Sequence, residues 1–141
     1  MIKKNFKVLS IDHIAIASKD FSGLEHLFVE VLGLASTKKE RVKTELVDVL
    51  KLYSEDKKTA IELLEPIENN TTVSKFLNSK IQGIHHIALT VDNISNAISY
   101  LKYKDIKLVY DKPKIGSDNK LITFIHPKSS PGILIELCQN Q

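Results

Sequence analysis

The 141-residue sequence has no tryptophan, one methionine, one cysteine and only five glycines and four prolines. A lone cysteine, Cys138, excludes an internal disulfide and any multi-cysteine zinc site, so it reads as a small core residue with no catalytic role. So little glycine and proline excludes collagen-like and low-complexity chains. No apolar run is long enough to span a bilayer, and the opening MIKKNFKVLS places lysines before no long apolar stretch. Neither a signal peptide nor a membrane anchor is therefore expected, and the cytoplasm is the default location. Arginine occurs once, at Arg41, and the other basic residues are lysines spread along the chain to a net charge of +3. That pattern excludes a dense basic patch for nucleic acid, while lysines leave phosphate-bearing small molecules as plausible ligands.

What the chain does have is a composition 43% hydrophobic and 26% charged, enough for one packed domain spanning residues 1–141. It also repeats itself. Sliding IDHIAIASKDFSGLEHLF by 73 positions onto IHHIALTVDNISNAISYL aligns His13 with His86, Ala15 with Ala88 and Asp20 with Asn93. Apolar residues then recur at helical spacing, as Leu24, Leu27, Phe28 and Val31 and again as Ile94, Ala97, Ile98 and Leu101. Each set predicts an amphipathic helix, with Asp20 or Asn93 as its N-cap.

Short β-type runs follow each helix: ASTKKE, LVDVLKLY and TAIELLEP, then KLVYD, LITFIHP and GILIELCQ. Each half reads as β-α-β-β-β, with module 1 at about 8–66, a connecting helix at about 67–82 carrying Val73, Phe76 and Leu77, and module 2 at about 83–140. The predicted class is α+β, two tandem modules forming a curved mixed sheet around one cavity with helices outside. A repeat this long is a duplicated supersecondary unit rather than a solenoid.

The duplication also organises the polar residues. Glu62 and Glu136 occupy equivalent places in the last strand of each half, each flanked by Ile or Leu. A carboxylate buried in an apolar strand is costly unless paired or metal-bound. One histidine alone would read as a satisfied core residue, and one glutamate as a solvent-facing strand position. Two of each, in register across a duplication, point instead to a divalent ion held by His13, Glu62, His86 and Glu136, with coordination positions left for substrate. His85, aligned with Asp12, is expected to face away or to act behind the ligands.

With those residues in view, the chain resembles the vicinal oxygen chelate superfamily (glyoxalase, bleomycin resistance and dioxygenase proteins), and within it the methylmalonyl-CoA epimerases. The resemblance runs from about residue 8 to the C-terminus and is carried by IDHIAIA, IELLEP, VSKFL, GIHHIALTVDNI, YDKPKIG and FIHPKSSPGILIEL. It implies inversion at the carbon alpha to an acyl-CoA thioester, a cobalt or manganese ion with zinc and nickel as further candidates, and the four ligands just named. It also implies a homodimer with one site per chain.

Removing a proton alpha to a thioester creates an enolate, and inversion needs an acid/base group on each face of it. The resemblance implies Glu136 as one and Asp48, on the third strand, as the other, with Glu45 standing where relatives often carry glycine. Asp48 as a solvent-facing strand residue, and Glu65 or Glu45 as the base, stay open. Lys112, Lys114 and Lys128 are weak candidates for the CoA phosphates. Two other readings compete: a lactoylglutathione lyase, which the scarcity of arginine disfavours, and a binding protein of the same fold without turnover.

Overall fold

The computed structural model describes residues 1–69, 71–79 and 82–141. Contacts divide the chain into two compact units: an inner one, His13–His85, and a flanking one made of Met1–Asp12 with His86–Gln141. Both are mixed sheets with helices, so the class is α+β.

In the inner unit, β1 (Val8–Ser18, from His13 on) pairs in parallel with β5 (Ala60–Pro66), and β4 (Val47–Tyr53) lies antiparallel to β5. The predicted strand ASTKKE is shorter and split: β2 (Ala35–Ser36) and β3 (Glu40–Val42) pair with successive parts of β4. Between them Thr37 turns its backbone N–H and its hydroxyl onto the Lys51 carbonyl, a side-chain bond that competes with a regular ladder. Buried Ala15, Ala17, Val47, Val49 and Leu64 line one face of this sheet, with Val73 and Leu77 of α2 (Thr72–Ser79) packed on it. Leu50, Leu52 and Leu63 line the other, under Phe21. Thr71 caps α2, its hydroxyl accepting from the Ser74 N–H at 3.1 Å. Val73, Phe76 and Leu77 thus pack as predicted, while residues 70, 80 and 81 of the expected connecting helix lie outside the described residues.

The first helix departs from expectation. One α turn, α1 (Ser22–Glu25), passes into wider π-helical turns over His26–Val31, where the Leu32 N–H reaches back to the Leu27 carbonyl. More residues per turn move the half-buried stripe to Leu24, Phe28 and Val29 and leave Leu27 and Val31 exposed. Gly33, at φ +82, closes the segment. Asp20 sits one residue before the N-cap, which is Phe21, and its carboxylate accepts the Ser22 N–H at 3.0 Å.

The flanking unit repeats the plan. Strand β6 (Gln82–Val91, from His86 on) pairs in parallel with β9 (Ile135–Gln139), which lies antiparallel to β8 (Leu121–Ile125), with β7 (Lys114–Ile115) at the edge. Its helix α3 (Ile94–Tyr103) is regular, buries Ile94, Ala97 and Ile98, and has Asn93 as N-cap with the Asn96 N–H donating to its side chain at 2.9 Å. KLVYD forms only a bridge, Leu108 opposite Ile125, and next to it the Tyr110 carbonyl accepts from the Thr123 hydroxyl at 2.8 Å. Among the described residues no helix is long and apolar enough to cross a membrane.

Candidate metal and acid/base site

The two units build the same polar arrangement by the same route. In the inner unit Ala15 stands opposite Glu62 on the parallel strands, two residues past His13. In the flanking unit Ala88 stands opposite Glu136, two residues past His86. Side chains two apart on a strand share a face, and cross-strand partners share it too, so each histidine and its glutamate emerge side by side. The alanines between them are both fully buried and add only a methyl group to that face.

His13 Nδ1 lies 3.5 Å from Glu62 Oε2, and His86 Nε2 lies 3.5 Å from Glu136 Oε2. Both gaps exceed the roughly 2.7–2.9 Å of a charge-assisted hydrogen bond. Nitrogen and oxygen of each pair therefore stand beside each other at ion-pair distance. All four residues are buried, from 3% exposed at His13 to 6% at Glu136.

The surroundings differ. In the inner unit Lys51, across the β4–β5 ladder from Glu62, places its ammonium 3.8 Å from the same Oε2, and its side chain is only 5% exposed. At the equivalent place in the flanking unit, across from Glu136, stands Phe124, its ring edge-on to His86 with centroids 5.5 Å apart. Lys51 carries the same sequence signal as Glu62, a charge set between apolar neighbours: Leu50 and Leu52 in VLKLY, Ile61 and Leu63 in IELL.

Asp48 is not brought to this face. It is three residues from Lys51 on an unbroken strand, so it points to the side covered by Phe21. There Arg41 grips it through two bonds, Nε at 2.8 Å and Nη2 at 3.1 Å. That hydrogen bonding holds the Asp48 carboxyl below its ordinary value against the opposing effect of burial. An already stabilised carboxylate of this kind is a weak proton acceptor. Glu65, opposite Asp48 in register, shares that side and accepts the Phe21 N–H at 3.3 Å. The backbone position before β4 that takes a glycine-like conformation is Leu46, at φ 55, one residue later than expected.

In the flanking unit, Thr90 and Cys138 continue the histidine face. The Thr90 hydroxyl meets Asp12 at 3.3 Å, and Lys120 holds the same Asp12 oxygen at 2.8 Å. His85, aligned with Asp12, lies in the inner unit with its ring edge-on to Phe76 at 5.1 Å. Burial pushes the Cys138 thiol up to about 12, which makes it a poor nucleophile. Lys114 is engaged over the Tyr110 ring at 3.9 Å.

In each unit an imidazole beside a carboxylate is a donor pair that suits a first-row divalent ion, the chemistry that the sequence resemblance implies.

Known proteins place the chain. The family model for the glyoxalase/bleomycin resistance protein/dioxygenase superfamily matches residues 12–124. The mitochondrial methylmalonyl-CoA epimerase of Mus musculus is 33% identical over 95% of this chain and 75% of its own length. The solved methylmalonyl-CoA epimerase of Mycobacterium tuberculosis superposes with a TM-score of 0.91 at 28% identity, over 95% of this chain and 89% of that one. The Streptomyces coelicolor epimerase, solved with 2-nitronate-propionyl-CoA, superposes at 0.88 and 28% identity over 95% and 96%. The chain belongs to the glyoxalase/bleomycin resistance protein/dioxygenase superfamily and, within it, to the methylmalonyl-CoA epimerases.

Proposed function

We propose that the chain interconverts the (R) and (S) forms of methylmalonyl-CoA with a divalent ion, cobalt or manganese before zinc or nickel, held by His13, Glu62, His86 and Glu136. The observation that carries this reading is the twice-built register: a histidine, a fully buried alanine two residues on, and a glutamate opposite that alanine. When bound, such an ion supplies Lewis-acid stabilisation of developing negative charge on the thioester side of the substrate.

The protein residues do the rest. The imidazoles and carboxylates orient the acyl group, and their burial keeps water from the reacting carbon. Glu136 serves one face of the enolate, removing or returning the proton alpha to the thioester, a role of the kind that contributes about 10² to 10⁴ in rate, and inversion calls for a second acid/base group on the opposite face. Asp48 has no part in this scheme, because it faces the other side of its sheet and is committed to Arg41.

The scarcity of arginine weighs against a lactoylglutathione lyase. Arginine is the residue suited to gripping the carboxylates of glutathione, and the chain's single arginine is spent on Asp48. A binding module without turnover would have no need of both half-sites intact. The chain is read as a single domain, 1–141, acting in the cytoplasm, where a lone buried thiol fits a reducing compartment. Exposed Val8, Leu9 and Ile11 on β1 support association into a homodimer.

The test is deuterium wash-in at the alpha carbon of methylmalonyl-CoA after loading with manganese or cobalt. Exchange that requires the ion and falls at least a hundredfold in Glu136→Gln supports the reading. Hemithioacetal turnover without exchange, or exchange undiminished in Glu136→Gln, sinks it.

A further inference from the structure

The two half-sites are copies in backbone and in their histidine and glutamate, yet one faces a buried ammonium where the other faces an aromatic ring. Lys51 and Phe124 occupy the same place in the repeat, each directly across an antiparallel ladder from the site glutamate. Burying an ammonium removes its hydration, a large cost that only close opposite charge offsets. Here that charge is Glu62, whose Oε2 also faces His13. A lysine kept dry beside a metal-ligand carboxylate has two physical consequences. It competes with an incoming cation for Glu62 electrons. It also adds one positive charge to a donor set whose two carboxylates would otherwise just neutralise a divalent ion.

From this we infer that Lys51 is the charge-setting residue of the site: it loosens the hold on the divalent ion and selects an acyl-CoA whose acyl end carries a negative charge. The inference rests on the four-residue metal reading above. Lys51 acts as a specificity-determining and positioning group through its fixed charge.

The experiment compares wild type with Lys51→Met, which keeps the length of the side chain, and Lys51→Gln, a second neutral version that separates loss of charge from a packing fault. Manganese affinity is measured by calorimetry. Binding of methylmalonyl-CoA and of propionyl-CoA, which lacks the free carboxylate, is then measured on the manganese-saturated proteins. A unit charge a few ångströms away in partly screened surroundings is worth at least a tenfold effect. Both neutral variants should bind manganese at least about tenfold more tightly. Their preference for methylmalonyl-CoA over propionyl-CoA should fall by at least about tenfold. The opposite signs distinguish a charge effect from general damage, which would weaken both. If wild type binds no manganese, the four-residue reading falls and takes this inference with it. If wild type binds manganese but either quantity is unchanged in the folded neutral variants, the inference alone is overturned.

Discussion

The inner and flanking units are two renderings of one plan. What they share and what they do not separate the parts of the plan that chemistry requires from the parts that were free to change. The histidine, the alanine beside it and the glutamate opposite that alanine are the same in both. The helices are not: α3 is a regular α-helix capped by Asn93, while its counterpart is one α turn running into π-helical turns. Nor is the residue facing the glutamate, Lys51 in one and Phe124 in the other. The placing of each histidine beside its glutamate depends on strand register, which a single slip would destroy by sending every side chain to the other face. A helix on the far side of the sheet only has to cover it.

The sharpest way to break the equivalence is to remove one carboxylate at a time. Glu136→Gln should lose about 10² to 10⁴ in alpha-proton exchange even at saturating manganese, as loss of an acid/base group does. Glu62→Gln should instead weaken manganese binding and recover much of its rate as the ion is raised. Wash-in rates measured across a manganese titration distinguish the two, and identical curves would erase the division of labour.

Next in size are the apolar residues that follow the glutamates. Leu63 and Leu137, both buried against the helix-covered side of their sheets, should each cost about 2–5 kcal/mol when cut to alanine. Leu27→Ala, on the exposed side of the π-helical turns, should stay within about 0.5 kcal/mol. Urea unfolding reads all three, and a large loss at Leu27 would restore the regular helix that the sequence suggested.

Smaller effects come from the spacers. Ala15→Val and Ala88→Val push a methyl pair between histidine and glutamate, and each should cost about 1–3 kcal/mol by overpacking. They should also weaken manganese binding to similar degrees, since both positions are fully buried. Markedly unequal losses would show that the halves are not equivalent at the backbone level.

The least effect is expected at Asp48. Its carboxyl is held below the ordinary value chiefly by the Arg41 hydrogen bonds, so its contribution to stability is present above the unfolded carboxylate range. That contribution fades as pH falls through the lower folded value. Because Arg41 is largely exposed, Asp48→Asn should cost less than about 1 kcal/mol at neutral pH. The gap from wild type should close in strong acid, and proton exchange at the substrate should be unchanged. Loss of exchange in this variant would return Asp48 to the chemistry.

The amino-acid sequence alone carries the duplication, the β-α-β-β-β order and the four ligand candidates, because an offset of 73 residues, 74 for the last strand, keeps the positions that cannot drift: His13 with His86, Ala15 with Ala88 and Glu62 with Glu136. It also placed the Asn93 cap and the α2 stripe, which depend on neighbours only a few residues away. Which way side chains face once strands are paired is settled by the packed fold. Asp48 and Lys51 look alike in sequence, two charges in one apolar run, and the register of β4 on β5 sends the first to Arg41 and the second to Glu62. The widened first helix belongs here too, since Leu27 and Val31 satisfy an α-helical pattern that packing against Phe21, Leu52 and Leu63 overrides. Local periodicity is written in the chain, but the choice between two faces of a sheet is made by partners far away along it.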